Sequence, residues 1–237
     1  MGATMIKIKY MICIILSVLS AGLFLITTTS GEELPADTKE TESLGPVEVR
    51  NYEGKDLSSV DKFRENSIKG PQHVDRDAYR LQITGLVGNP AQYSYDQVIQ
   101  KFQHYKKVVK LNCVEGWSVT ILWEGMLVRD IIDASRPLSK ANTVIFHAYD
   151  GYTTSFPIEY IMKNNILMAY KMNDIVIPPE RGFPFELVAE SKWGYKWIKW
   201  ITRIELSDDT KYKGFWERRG YSQSGDLDKS FFDFERE

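Results

Sequence analysis

Cysteine and histidine are scarce in this chain of 237 residues, which has two of the first, Cys13 and Cys113, and three of the second. Cys13 lies in an apolar leader, so no internal disulfide framework is available and Cys113 has to be explained on its own. His73, His104 and His147 stand far apart, without ligand partners at short intervals, which argues against a zinc site. An excess of either charge is missing too: 30 basic side chains face 32 acidic ones, for a net charge of −2. A surface so balanced releases few phosphate counterions, and nucleic acid drops out as a partner. No Gly-rich loop follows a strand, so Rossmann and P-loop nucleotide sites are unsupported. Haem-attachment motifs, iron–sulfur motifs and repeats of fixed period are likewise absent.

What is present begins with a leader. Residues 10–31 carry no charge, and Lys7 and Lys9 precede the apolar run 11–26. Residues 1–30 read as a signal peptide or membrane anchor. The run is short for a bilayer span and residues 28–31 are small enough for a peptidase, so both forms stay open. Positive charge before the run sends the body outward in either case, to the outer face of the cytoplasmic membrane, the periplasm or the extracellular space. Residues 31–60 read as an acidic flexible tether, with Glu32, Glu33, Asp37, Glu40, Glu42 and Glu48 against few lysines. The folded domain is expected over 61–222, followed by a polar tail at 223–237.

Within the body, residues 79–84 alternate apolar and polar up to Gly85, predicting a half-buried strand. Ser94 and Gln97 form a capping box that opens a helix through Phe102. Residues 107–112 predict a strand that delivers Cys113 at its end. Trp123 to Gly125 read as a turn into a helix over 126–134. Residues 143–149 predict a strand and Asp150-Gly151 a hairpin. A helix follows at 157–164, then strands at 166–170, 175–177 and 185–189. Residues 196–206 read as one strand, with Trp200, Thr202, Ile204 and Leu206 on one face and Lys199, Ile201, Arg203 and Glu205 on the other. Many short strands with few short helices predict an α+β domain of barrel-like or sandwiched mixed sheets.

Cys113 is the one thiol of the body and follows a strand directly. A free thiol in an oxidising compartment is a liability unless buried or ligated, and both explanations stand at this point. Residues 181–203 combine Arg181, Lys192, Lys196, Lys199 and Arg203 with three tryptophans, a local cationic wall suited to a flat, anionic, phosphorylated ligand. A sheet edge with charges facing water is the plainer alternative. A nucleophilic arrangement of Cys113, His147 and Asp150 is also conceivable, against a packed sheet histidine.

The strings CVEGWS from Cys113, WEG from Trp123, HAYDGYT from His147, RGFP from Arg181 and GYKWIK from Gly194 appear together in order. In that order and spacing the chain resembles the sulfite oxidase-like molybdopterin-binding domain over about residues 60–221. It is similar in particular to small single-domain members without a haem or immunoglobulin-like domain. The resemblance implies that fold. It also implies a Mo-molybdopterin cofactor with one molybdenum per chain, and Cys113 as catalytic residue and metal ligand. A soft thiolate suits such a metal and would explain an unpaired thiol. By the same resemblance, Trp197, Ile198 and Lys199 hold the pterin and its phosphate, Lys196 assists, and Arg181 touches the pterin. Residues 63–67, FRENS, resemble the family's Phe-x-Arg-Asn-His, which places Arg64 and Asn66 at the cofactor or its mouth, with Ser67 where relatives carry histidine. Relatives commonly carry an arginine for the pterin phosphate four residues after the glycine of RGFP, and this chain has Glu186 there. Its leader has no twin-arginine pair, although such enzymes usually leave the cytoplasm by that route.

The implied activity is two-electron oxygen-atom transfer on a small oxo substrate of the sulfite or S-oxide class, with a tilt toward reduction because no dense arginine pocket is evident. Electrons would pass to or from an external partner such as a membrane haem or quinone-linked protein, and the chain would be a monomer. Two other readings remain: a thiol enzyme using Cys113 and His147, and a cofactor-free binding module on the same fold.

Overall fold

Short apolar runs separated by turn residues leave this chain few positions for long helices, and most of its backbone hydrogen bonds are made between strands. The computed structural model describes residues 47–233. The leader, most of the tether and the last four residues lie outside the described residues. The elements are β1 (Asn51–Tyr52), β2 (Lys55–Asp56), β3 (Leu81–Gly85), β4 (Ala91–Tyr93), α1 (Tyr95–Lys101), β5 (His104–Asn112), β6 (Ser118–Leu127), α2 (Val128–Ser135), β7 (Thr143–Ala148), β8 (Thr153–Pro157), α3 (Ile158–Lys163), β9 (Leu167–Met172), β10 (Ile175–Val176), β11 (Glu186–Val188) and β12 (Ile201–Ser207). Three 3-10 turns, Pro179–Arg181, Gly194–Lys196 and Glu217–Arg219, complete the list.

Two five-stranded sheets carry the fold. One has the order β4-β3-β12-β7-β8; the other runs β10-β9-β6-β5, with β11 also paired to β9. Among the strand pairs of the described residues β3 and β12 run parallel and the others antiparallel, and neither sheet closes into a barrel. One apolar cluster draws on both sheets, from Leu81 and Ile204 in the first to Trp123, Met168 and Leu187 in the second. Tyr79 ties the two together: its ring packs on Phe185 and its hydroxyl donates to the Ile201 carbonyl at 2.6 Å.

Local signals held where hydrogen bonds close within a few residues. Ser94 accepts from the Gln97 N–H while Gln97 returns a bond to the Ser94 N–H, so the capping box opens α1 as predicted. Asp150-Gly151 joins β7 to β8 in the expected hairpin. The structure departs from expectation where long-range packing decides. Residues 123–125 are not a turn: they sit inside β6, which runs to Leu127 before α2 begins, and the irregularity is a register shift between Glu124 and Gly125 against β9. Residues 196–200 are not strand either. Trp200 has φ +55, β12 starts at Ile201, and an irregularity between Ile201 and Arg203 turns Ile201 inward.

The folded body also begins before residue 61 and continues past 222. Glu48 accepts hydrogen bonds from Ser59, the Val60 N–H and Asn173, which binds residues 47–60 to the β9–β10 turn. At the other end Lys192 pairs with Asp226, and the Ser222 N–H donates to the Phe231 carbonyl. Acidic composition suggests solvation, but Glu48, the one of those carboxylates within the described residues, finds partners. No helix among the described residues is long and apolar enough to cross a membrane.

Gly125 is required by close approach rather than by backbone conformation. A Cβ there would meet the Met168 carbonyl oxygen and would stand 2.6 Å from Ala169 Cα. Gly125→Ala should therefore cost about 1–3 kcal/mol by overpacking, read as a lower denaturant midpoint. An unchanged midpoint would mean that β6 and β9 do not approach this closely.

Candidate active site

Between the ends of the two sheets lies a cavity of about 410 Å³, a size suited to a bound small molecule. Three stretches of chain shape it. The first is the turn after β5, where the Cys113 N–H donates to the Trp117 carbonyl at 2.9 Å and the Gly116 N–H returns to the Cys113 carbonyl at 3.2 Å. The second is residues 63–68, a strap of irregular backbone over the cavity wall. The third is the 3-10 turn Gly194–Lys196 with Trp197, Ile198, Lys199 and Trp200 after it. Gly194 lets the third stretch rest on the first, since a Cβ there would lie 3.2 Å from the Asn112 carbonyl oxygen.

Cys113 lines the cavity and is 8% exposed. The Asn66 amide stands 3.5 Å from its sulfur. Burial pushes the thiol above its ordinary pKa, with the Glu115 backbone N–H working in the opposite direction. The Asn66 amide and then the Arg64 guanidinium, which bonds Glu115 at 3.0 Å, hold the Glu115 carboxyl below its usual range.

Seven of the eight residues that the sequence assigned to a cofactor reach this one cavity: Cys113, Arg64, Asn66, Arg181, Trp197, Ile198 and Lys199. Their roles within it differ. Arg181 donates from Nε to the Val60 carbonyl and from Nη2 to the Phe63 carbonyl, each at 2.7 Å, and its guanidinium lies 3.9 Å from the Phe63 ring centroid. It anchors the strap. Lys199 donates to Glu65 at 2.6 Å.

Lys196 does not line the cavity. Its side chain has no exposure, and the ammonium donates to Glu217 at 2.6 Å, the Ser155 carbonyl at 2.8 Å and the Gln223 carbonyl at 3.1 Å. The expected cationic wall is also corrected. Lys192 meets Asp226, Lys196 meets Glu217, Lys199 meets Glu65 and Arg203 meets Glu205, so each basic side chain with an ion pair here is matched by a carboxylate.

His147 lies outside the cavity lining, with Nε2 2.8 Å from Glu205 and Arg203 at 3.0 Å from Nδ1. Burial, then Arg203, lowers its pKa against the pull of Glu205. Asp150 lines the cavity and accepts from the Tyr152 N–H at 2.8 Å. Glu65, which separates Arg64 from Asn66, also lines the cavity and is absent from the expected site residues; only a carboxylate within the FRENS string signals it.

A model of the oxidoreductase molybdopterin-binding domain matches residues 68–216. The chain belongs to this family. It is 34% identical over 157 residues to the uncharacterized oxidoreductase YuiH of Bacillus subtilis, covering 66% of this chain and 78% of that one. It is 26% identical over 226 residues to the catalytic subunit of the protein-methionine-sulfoxide reductase MsrP of Campylobacter jejuni, covering 88% and 73%. Among solved structures, the sulfane dehydrogenase SoxCD of Paracoccus pantotrophus aligns with a TM-score of 0.60 at 19% identity, over 68% of this chain and 44% of its own, a likeness of fold. Membership in the family makes the chain a molybdenum-dependent oxidoreductase.

The residues present fit such a cofactor. Cys113 offers a soft donor at the wall of a cavity large enough for a small organic group. The Ser67 hydroxyl, on the same wall, is buried without a hydrogen-bond partner among the described residues, so the cavity holds an unmet polar group.

The assignment of Lys196 to structure is open to measurement. Lys196→Met leaves Glu217 buried without its cation and should cost about 3–5 kcal/mol. The double variant Lys196→Met/Glu217→Leu should recover most of that loss in urea melts. A Lys196→Met protein as stable as wild type would return the side chain to the cavity.

Proposed function

We propose that the protein catalyses two-electron oxygen-atom transfer on a small oxo substrate of the sulfite or S-oxide class, with Cys113 as a ligand of the molybdenum of one Mo-molybdopterin. The observation that carries this reading is the solitary Cys113 thiol on the wall of a cavity formed by the residues of the family's own motifs. When bound, the cofactor supplies a metal able to exchange an oxygen atom and two electrons. The chain supplies the rest. Cys113 would hold the metal as a thiolate, so ligation would require loss of the proton that burial otherwise keeps on the sulfur. Asn66 directs its amide at the sulfur and holds it in place. Trp197 and Ile198 form apolar wall that excludes water, Lys199 presents a positive charge for the cofactor's anionic end, and Arg64 borders the mouth beside Glu115.

Reduction is the favoured direction. The MsrP relative named above is a methionine-sulfoxide reductase, and the cavity wall holds only two arginines, of which Arg181 is committed to the strap. An external electron partner follows from the lack of a haem or iron–sulfur motif, and the apolar run after Lys7 and Lys9 supports export to the outer face of the cytoplasmic membrane or beyond. The competing thiol-enzyme reading is disfavoured by two features. His147 is held by Glu205 and Arg203 outside the cavity lining, and burial raises the Cys113 pKa where a nucleophilic thiol needs it lowered.

Protein purified from a molybdate-supplied native host should contain about one molybdenum per chain, lost in Cys113→Ser and retained in His147→Ala. With a dye donor, methionine sulfoxide or another S-oxide should be reduced by the loaded wild type and by His147→Ala, and not by Cys113→Ser. Chain without molybdenum from that host would sink the reading.

A further inference from the structure

Gly182 has φ +115, and its missing side chain brings two others together: a Cβ there would stand 3.1 Å from Lys199 Cβ and 3.2 Å from Glu186 Cβ. Both side chains line the cavity. Glu186 is buried, and no hydrogen bond or ion pair from the described residues reaches its carboxyl. The charged groups that act on it are Lys199, from the stretch after the Gly194 turn, and Arg181, from the turn before β11. Lys199 also donates to Glu65 at 2.6 Å, and Glu65, Asp61 and Glu180 lie around Arg181. β9, paired with β11, sets uncharged Ala169 opposite Glu186.

With Glu186 ionised, the inner group of Lys199, Arg181, Glu65 and Glu186 holds two positive and two negative charges. An entering anion then meets no net attraction and a poorly solvated carboxylate in the same small space. With Glu186 neutral, the group has one positive charge in excess, and the carboxyl O–H is a free donor.

We propose that an anionic group of the phosphate-ester or sulfate type binds at Lys199 only to the form of the protein in which Glu186 is protonated. The proposal deepens the reading that Lys199 receives the cofactor's anionic end, and rests on it. The protein binds the anion and, wherever Glu186 was ionised beforehand, one proton from solvent. The carboxyl O–H then donates to the bound anion. Burial supports this by raising Glu186 to about 8, against the opposing pull of Lys199 and then Arg181. The sign follows: below that range Glu186 is already neutral and binding takes up no proton, and as pH climbs through it the carboxylate forms and the anion is repelled.

Sulfate is the probe, because its own charge is constant over the range used. Full-length chain from a molybdenum-starved host would be titrated calorimetrically between about pH 6 and pH 9, in two buffers of different ionisation heat. Affinity should be level at the acid end and fall toward about tenfold per pH unit at the alkaline end, with proton uptake rising toward about one per sulfate. Glu186→Gln should keep the acid-end affinity throughout, without proton uptake, and Lys199→Ala should not bind. Equal wild-type affinity at both ends with no proton uptake overturns the proposal, as does a Glu186→Gln protein that keeps the wild-type pH dependence, or sulfate that binds at no pH. If Glu186→Gln fails to fold, proton uptake by the wild type decides alone. Molybdenum content from a replete host is read separately, so a loaded chain without pH-linked sulfate binding loses this proposal and keeps its function.

Discussion

A lysine ammonium with no exposed surface must be met by a carboxylate and by carbonyls, and the Lys196–Glu217 pair imposes that requirement on the cavity's surroundings. Lys196 closes the Gly194 turn, so the pair determines where Trp197, Ile198 and Lys199 emerge. Glu217 belongs to a 3-10 turn late in the chain and also accepts from Thr154 in β8 at 2.7 Å. One buried contact thereby joins the hairpin β7–β8, the wall of the cavity and the C-terminal segment. Such a pair contributes position more than net stability, since the desolvation of both charges offsets much of their attraction. The hydroxyl of Tyr152 adds a second tie, donating to the Tyr195 carbonyl within the same turn.

Charge in the cavity is arranged by the same logic of pairing. A run of basic residues seen along the chain suggests a positive surface, yet its three lysines are each answered by a carboxylate from a distant segment. Lys199 and Glu65 are 134 residues apart, and Lys192 and Asp226 are 34 apart. What remains inside is nearly neutral, which makes the protonation of one carboxyl, Glu186, matter more than the number of lysines nearby. Arg181 illustrates the other half of the point. It faces the cavity by position, but its donors are directed at the carbonyls of the strap, so its charge contributes from behind the wall.

The legible parts of the fold were those whose hydrogen bonds close locally. The capping box of α1 and the Asp150-Gly151 hairpin each follow from residues a few positions apart. Trp123 to Gly125 looked like a turn because glycine and a charged residue break an apolar run. In the structure Glu124 is held by Lys106 of the neighbouring β5 and by Lys171 and Tyr170 of β9, and Gly125 admits the β9 backbone, so the decisive contacts come from a strand far along the chain. The described end of the expected tether, residues 47–60, departs for the same reason: Glu48 looks solvated until Asn173 is brought beside it.

The sequence by itself determined the family, the position of Cys113 at the end of a strand and seven of the residues that line the cavity, because motif order and strand periodicity are properties of the chain read in one dimension. It also marked Glu186 as out of pattern. Only the tertiary structure decided which lysine lines the cavity, paired there with Glu65, and which is a buried strut. Lys196 and Lys199 are three residues apart and chemically identical. The 3-10 turn sends one toward Glu217 and the other toward Glu65 at the cavity wall, a distinction that depends on carboxylates lying 21 and 134 residues away.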